Sequence, residues 1–156
     1  MKSKLILGLP VALAAILLDR ISKLSVDHFM HLYQSEKVIG NFFRLTYVTN
    51  PYASFSLKFG NYYIMIGLTI LAIIFIFLYF IKTPYAKARI TALSMILGGA
   101  FGNLYDRLAT REVIDFLDFG IDKHRFATFN LADTSIFLGV CLLLILIFFE
   151  KNETAD

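Results

Sequence analysis

Charged residues are scarce in this chain of 156 residues, where they make up 17% of the sequence against about a quarter in an average soluble domain. Hydrophobic residues make up 58%. A domain of this length buries only about 70% of the surface of its unfolded chain, so its own core cannot hide this many apolar side chains. The composition therefore excludes an ordinary soluble enzyme and predicts a single domain surrounded largely by membrane lipid.

The motifs of several common chemistries are also missing. Cysteine occurs once, at Cys141, so no intrachain disulfide can form. His28 and His31 belong to no His-Glu-x-x-His motif, and Ser54 and Ser56 lack a plausible His-Asp arrangement. There is no glycine-rich phosphate loop, and the fifteen Lys and Arg residues form no basic block. We therefore expect no metal, no other cofactor and no nucleic-acid partner.

What the sequence does contain is four apolar runs. The run at 62–81 has no charged residue over 20 positions and is long enough to cross the roughly 30 Å hydrocarbon core alone. The other three are shorter, and each reaches a carboxylate when it is extended. The predicted fold is an all-α membrane protein, one domain over residues 1–156, with transmembrane helices at about 5–25, 61–81, 89–107 and 132–150.

Helix parity predicts which polar residues can meet. Because successive spans run in opposite directions, the C-terminal ends of the first and third spans and the N-terminal end of the fourth lie at the same membrane face. Asp19, Asp106 and Asp133 lie at these three ends. The two longer connections lie on that face as well, and alternating residues at 40–57 predict strands there, in a small sheet at about 36–58. The basic residues packed into the short loop at 82–89 favour a cytoplasmic location for the opposite face, although the total Lys and Arg count does not decide it.

Asp115 and Asp133 are the candidate catalytic residues. Each lies among apolar residues next to a membrane boundary, where an ionisable group is costly to keep without a function. Burial and a neighbouring carboxylate would leave the pair holding one proton, as acid–base hydrolysis by an activated water requires. Two structural alternatives stay open: Asp133 as a cap of the fourth helix, and Asp115 as a surface residue of a loop.

Amide side chains accompany this pair. Asn50, Asn103 and Asn130 fall on the same face, and an amide can both hold a substrate backbone and stabilise an oxyanion. Arg107 is either a substrate-binding residue or a local salt-bridge or interfacial side chain. The sequence alone leaves both open.

Two further features have structural explanations. Asp19 and Lys23 are four positions apart, as in a simple ion pair on a helix surface. Gly98 and Gly99 indicate close helix packing in the third span. Intramembrane carboxylates also occur in small proton-coupled transporters or channel subunits, which is the alternative function. That alternative predicts carboxylates at mid-membrane or on both faces.

Three ordered motifs resemble the lipoprotein signal peptidases, or signal peptidase II, which are aspartyl proteases of bacterial membranes. The motifs are Gly102-Asn103-Leu104-Tyr105-Asp106-Arg107-Leu108, Val113-Ile114-Asp115-Phe116 and Phe129-Asn130-Leu131-Ala132-Asp133. Asp19, Lys23, Asn50 and Gly99 give weaker support. The resemblance covers nearly the whole chain, and it departs from the family pattern after Asn50, in Pro51-Tyr52-Ala53-Ser54-Phe55-Ser56, and at Arg111, where the family tends to have glycine.

The resemblance implies a role for each of these residues. Asp115 and Asp133 would be the catalytic dyad. The substrate-binding or dyad-orienting residues would be Asn50, Asn103, Arg107 and Asn130. The structural supports would be Asp19, Lys23, Gly99, Asp106 and Ala132.

The resemblance also implies a biochemical setting. The substrate would be a diacylglyceryl-modified prolipoprotein, cut before its lipidated cysteine in a reaction without metal. The fold would be four membrane helices with a small extracytoplasmic β-sheet cradling the site. The enzyme would lie in the bacterial cytoplasmic (inner) membrane with its termini in the cytoplasm, in contact with lipid and as a monomer.

Overall fold

The computed structural model describes residues 1–51, 62–121 and 123–153, and in them the chain forms four helices and four strands. The helices are α1 (Lys2–Phe29), α2 (Tyr62–Lys82), α3 (Lys87–Thr110) and α4 (Leu131–Glu153). The strands are β1 (Ser35–Ile39), β2 (Phe43–Asn50), β3 (Val113–Ile121) and β4 (His124–Arg125). Each helix end lies within four residues of its predicted position.

Three of the described helices, α1, α2 and α4, are long and apolar enough to cross a membrane. The helix α3 differs because it is the centre of the bundle: 14 of its 24 residues are buried, among them several charged and polar side chains. These three helices agree with the predicted multi-pass membrane protein, while a full set of four spans stays a prediction.

Glycine allows α3 to approach its neighbours closely. A Cβ atom at Gly98 would lie 2.6 Å from the carbonyl oxygen of Ala12 in α1, and one at Gly99 would lie 2.4 Å from the carbonyl oxygen of Ala132 in α4. These are distances at which side chains cannot be accommodated, so the two glycines produce the close packing that their sequence suggests. As a result α1, α3 and α4 form one tightly packed unit.

The four strands form one antiparallel sheet in the order β1-β2-β3-β4. The predicted strand region is confirmed for β1 and β2, and its part at 52–58 lies outside the described residues. The loop alternative for Asp115 is wrong, because this residue lies in β3, opposite Val48 of β2. Because β3 carries apolar residues on both faces, its sequence lacks the alternation of apolar and polar residues that marks a half-buried strand.

The sheet is attached to the end of α1. Val26 of α1, Tyr47 of β2 and Phe116 of β3 form a buried apolar cluster, and the Tyr47 hydroxyl donates a hydrogen bond of 2.6 Å to the Asp27 carboxylate. Burial is the largest cause and this contact the next of a rise in the pKa of Tyr47 to about 12. The phenol therefore keeps its proton and remains a donor. The sheet is therefore held at the end of the bundle where Asp19, Asp106 and Asp133 also lie.

Candidate active site

Asp115 and Asp133 are joined through one amide side chain. Asn130 donates from Nδ2 to Asp115 Oδ1 at 2.7 Å, and its Oδ1 accepts the backbone N–H of Asp133 at 2.9 Å. Asn130 is completely buried, and Asp115 is only 3% exposed. The described structure therefore brings the start of β3 and the start of α4 together at the two predicted catalytic carboxylates.

Asp133 takes part in capping α4, but as the partner of Asn130, which occupies the cap position. Asn130 stands immediately before α4 and accepts from the backbone of Asp133, while the backbone N–H of Asn130 points to Asp133 Oδ2 at 3.4 Å. This reciprocal arrangement satisfies backbone donors at the helix start. The other carboxylate oxygen of Asp133 accepts from Asn103 Nδ2 at 2.8 Å. Capping and a place in the candidate site are thus compatible.

Asn103 connects this pair to a buried lysine. Its Oδ1 accepts from Lys23 Nζ at 3.0 Å and from Asn130 Nδ2 at 3.2 Å. Because an ammonium group only donates, Lys23 fixes which end of the Asn103 amide is the oxygen and so directs the Nδ2 group to Asp133. Asn103 and Asn130 both have their amide groups engaged within the protein, which fits residues that orient the two aspartates.

Lys23 lies at the centre of a buried ionic cluster and is not part of a surface ion pair. Its side chain is fully buried, and Nζ lies 2.7 Å from Asp19 Oδ2 and 2.7 Å from Asp106 Oδ2. The surface interpretation is wrong because this face of α1 packs against α3. Spacing by four residues brings the two groups together but does not say which face of the helix is covered.

Asp19 also reaches the start of α4. Its Oδ1 accepts the backbone N–H of Ala132 at 2.9 Å, and Ala132 is fully buried. A Cβ atom at Gly102 would lie 2.8 Å from Asp19 Oδ2, so the space at that position is already occupied by the carboxylate. Asp19 therefore links Lys23 of α1 to the start of α4, and the supporting roles of Asp19, Asp106 and Ala132 stay predictions.

The environment of Asp115 favours its protonated form. Burial is the largest cause and the nearby Asp133 carboxylate the next, and together they raise the pKa of Asp115 to about 7. Hydrogen bonds from Asn50 Nδ2, at 3.2 Å, and from Asn130 oppose this rise because they stabilise the carboxylate. The predicted perturbation of one carboxylate is thus present at Asp115.

Arg107 is only 7% exposed, so the interfacial interpretation of this residue is wrong. It lines a cavity of about 350 Å³ between α2, α3 and α4, and Asn103 and Asp133 form the polar end of the same cavity with it. The rest of the lining is mostly apolar, and much of it comes from α2. The arrangement suits an apolar ligand with a polar group at one end.

Two residues at the site escaped the sequence analysis. Arg20 forms an ion pair of 3.1 Å with Asp106, and its guanidinium lies 4.8 Å from the centre of the Tyr105 ring. Tyr62 donates from its hydroxyl to the backbone oxygen of Arg107 at 2.8 Å. The sequence does contain a signal for Arg20, because this residue directly follows the candidate support Asp19.

Among the described residues, no group of three His, Cys, Asp or Glu side chains could hold a metal ion.

Comparison with known proteins gives one consistent result. The family model for signal peptidase (SPase) II matches residues 11–149. A lipoprotein signal peptidase of Halothermothrix orenii is 38% identical over 94% of this chain and 97% of its own length, and one of Syntrophus aciditrophicus is 38% identical over 98% and 99%. A bacterial membrane enzyme solved by the in meso method is 30% identical, with a TM-score of 0.87 over 94% of this chain and 90% of its own.

Proposed function

The chain belongs to the signal peptidase II family, and we propose that it removes signal peptides from diacylglyceryl-modified prolipoproteins with Asp115 and Asp133 as its catalytic dyad. Family membership makes the chain a membrane-bound protease. The transporter alternative is therefore set aside. The observation that carries the dyad is the contact of Asn130 with both residues: its Nδ2 donates to the Asp115 carboxylate, and its Oδ1 accepts the backbone N–H of Asp133. Asp133 in turn lies at the polar end of an apolar cavity.

The two carboxylates have different environments, and this difference assigns their roles. Asp115, with its pKa raised to about 7, holds the proton. Asp133 lies in the first turn of α4, where the helix dipole and the Asn103 amide favour a negative charge. Asp133 is therefore the base and Asp115 the acid at the start of the reaction.

The cleavage then proceeds in two steps. Asp133 takes a proton from water as the water oxygen attacks the scissile carbonyl carbon, and Asp115 gives its proton to the carbonyl oxygen, forming a tetrahedral diol. In the second step Asp133 returns a proton to the leaving nitrogen, the carbon–nitrogen bond breaks, and Asp115 recovers a proton from a diol hydroxyl. Both carboxylates end in their starting states, so no covalent intermediate and no nucleophilic serine or cysteine is needed.

The cavity supports a lipid-embedded substrate. Its apolar wall, including Leu68, Ala72 and Ile76 of α2, would accept an acyl chain or apolar residues of the signal peptide. Arg107 at the polar end is the candidate for binding the peptide backbone near the cut. Asn50, Asn103 and Asn130 contact the dyad directly and act mainly by orienting it.

The remaining features of the proposal concern the membrane. We propose four spans at about 5–25, 61–81, 89–107 and 132–150, within a single domain and a monomeric enzyme of the bacterial inner membrane. The sheet and the dyad lie on the extracytoplasmic side, and the termini lie in the cytoplasm. The support is that Asp19, Asp106 and Asp133 meet at one end of the bundle, while Lys82 and Lys87 lie at the other.

A cleavage assay tests the dyad. Wild type, Asp115→Asn and Asp133→Asn are incubated in detergent with a diacylglyceryl-modified prolipoprotein and a chelator, and signal peptide release is followed by gel shift. We expect cleavage by wild type and a loss of at least about 1,000-fold in either variant, because each removes one partner of the proton transfer. Thermal unfolding in the same detergent shows that the variants are folded. Cleavage near the wild-type rate by either folded variant would disprove the dyad.

A further inference from the structure

The N-terminal end of α2 is connected to the C-terminal end of α3 by two contacts of Tyr62. The Tyr62 hydroxyl donates to the backbone oxygen of Arg107 at 2.8 Å. The guanidinium of Arg111 lies 5.7 Å from the centre of the Tyr62 ring, within the range of a cation–π interaction. These contacts join residues nearly fifty positions apart in the chain, at the end of the cavity that Arg107 lines.

Arg111 makes its contact from an unfavourable backbone conformation. It is the C-cap of α3 with φ 65° and ψ 2°, in the left-handed region that favours glycine, and its N–H donates to the same Arg107 oxygen at 3.1 Å. Glycine would close the helix here without strain. An arginine in this conformation indicates that its side chain contributes something that glycine cannot.

Tyr62 lies on the side of α2 that faces the cavity. Met65 and Thr69 line the cavity from α2, and Tyr62 lies three and seven positions before them, on the same face of the helix. The helix α2 buries only Met65, Ile73 and Phe80, which form a narrow stripe along its length. The position of its N-terminal end therefore depends strongly on the contacts of Tyr62.

We propose that Tyr62 and Arg111 are positioning residues that hold the N-terminal end of α2 against Arg107, and thereby set how tightly the cavity binds substrate. The inference rests on the proposed function, because it assigns the cavity to the substrate. Neither side chain takes part in proton transfer. Their loss therefore weakens substrate binding and leaves the chemical step intact.

Steady-state kinetics separate this role from a structural one. The probe is a synthetic lipopeptide with a diacylglyceryl-modified cysteine and a fluorophore–quencher pair across the cut, in micelles of fixed composition. We expect Tyr62→Phe to raise KM about threefold to tenfold with kcat within about twofold of wild type, since one hydrogen bond is lost. Tyr63→Phe is the matched control: Tyr63 is 74% exposed, and loss of its hydroxyl should leave KM unchanged.

Arg111→Gly distinguishes positioning from stability. Glycine removes the backbone strain, so the unfolding temperature should stay the same or rise, while the lost cation–π contact should raise KM about twofold to fivefold. If Arg111 served only as a helix cap, the unfolding temperature would behave in the same way but KM would be unchanged. In a Tyr62→Leu background the effect of Arg111→Gly on KM should disappear, because the ring that the guanidinium contacts is absent.

A distance measurement gives a readout that needs no turnover. Spin labels at the exposed positions Ile64 and Leu108, in a Cys141→Ser background, report the spacing between α2 and α3. We expect a longer or broader distance distribution in Tyr62→Phe and Arg111→Gly than in the Tyr63→Phe control. If wild type cleaves no lipopeptide, the proposed function fails while this measurement still decides whether the two residues hold α2. Unchanged KM and unchanged distances in both variants would overturn the inference.

Discussion

Two buried lysines in α1, near its opposite ends, show how differently the two ends of the bundle are built. Lys23 is fully buried and binds three side-chain oxygens, from Asp19, Asn103 and Asp106. Lys4 is 8% exposed and binds three backbone carbonyl oxygens at the end of α2. The nineteen positions between them amount to about 28 Å of helix, close to the thickness of the hydrocarbon core.

The partners explain what each lysine can do. Backbone carbonyls at a helix end are neutral dipoles, and Lys4 serves as a C-terminal cap that satisfies them. Carboxylates carry full charges, so Lys23 balances Asp19 and Asp106 and orients the Asn103 amide at the same time. Lys4 therefore caps a helix at one end of the bundle, while Lys23 at the other end supports the candidate dyad through Asn103.

Lys23→Met gives the largest expected effect. It leaves two carboxylates buried with their shared cation removed, which typically costs about 3–5 kcal/mol of folding free energy. It also releases the Asn103 amide, so we expect cleavage to fall at least about 100-fold even at temperatures where the variant is folded. Unfolding in detergent and the lipopeptide assay measure the two effects. Activity within about threefold of wild type would show that the cluster does not orient the dyad.

Lys4→Met is the matched substitution at the other end. It removes one buried ammonium group from the same helix, but the oxygens it leaves are neutral and lie near the end of the bundle. We expect a smaller loss of about 1–3 kcal/mol and a kcat close to that of wild type. A strong loss of kcat in folded Lys4→Met protein would show that the two ends of the bundle are coupled.

The helices and the meeting of the carboxylates could be predicted because they depend on local pattern and parity. Apolar runs set the helix positions, and three reversals between four helices placed Asp19, Asp106 and Asp133 at one end, where Asp19 caps the helix that carries Asp133. The burial of Lys23 could not be predicted, because spacing along one helix does not identify the face that a neighbour covers.

Contacts between segments far apart in the chain could not be predicted from the sequence either. The strand β3 pairs with β2 in a register interrupted between Leu45 and Val48, and no local pattern gives the resulting position of Asp115 opposite Val48. The contact between Tyr62 and Arg111 depends on how α2 lies against α3. Motifs could point to the candidate dyad, whereas its surroundings required the packed helices and the paired strands.

Asn50→Leu gives the smallest expected effect. It tests which contacts control the protonation of Asp115, at the end of the bundle that carries the candidate site. Asn50 donates to Asp115 Oδ2 and so lowers the pKa of a carboxyl that burial and Asp133 raise to about 7. Without this donor the carboxylate is less stable, so the pKa of Asp115 rises further. Because Asp115 is proposed to start protonated, activity falls as the pH increases through this pKa, and the alkaline limb should move upward by about half a pH unit.

The measurement is the pH dependence of kcat/KM for lipopeptide cleavage, which reports the titration of the coupled pair. Asn41→Leu is the control, because this exposed asparagine of the sheet region accepts from Arg44 and is absent from the Asp115 contacts. Its profile should coincide with that of wild type. If the acid limb moves upward in Asn50→Leu while the alkaline limb stays in place, Asp115 acts as the base, and the acid and base roles of the two aspartates have to be exchanged.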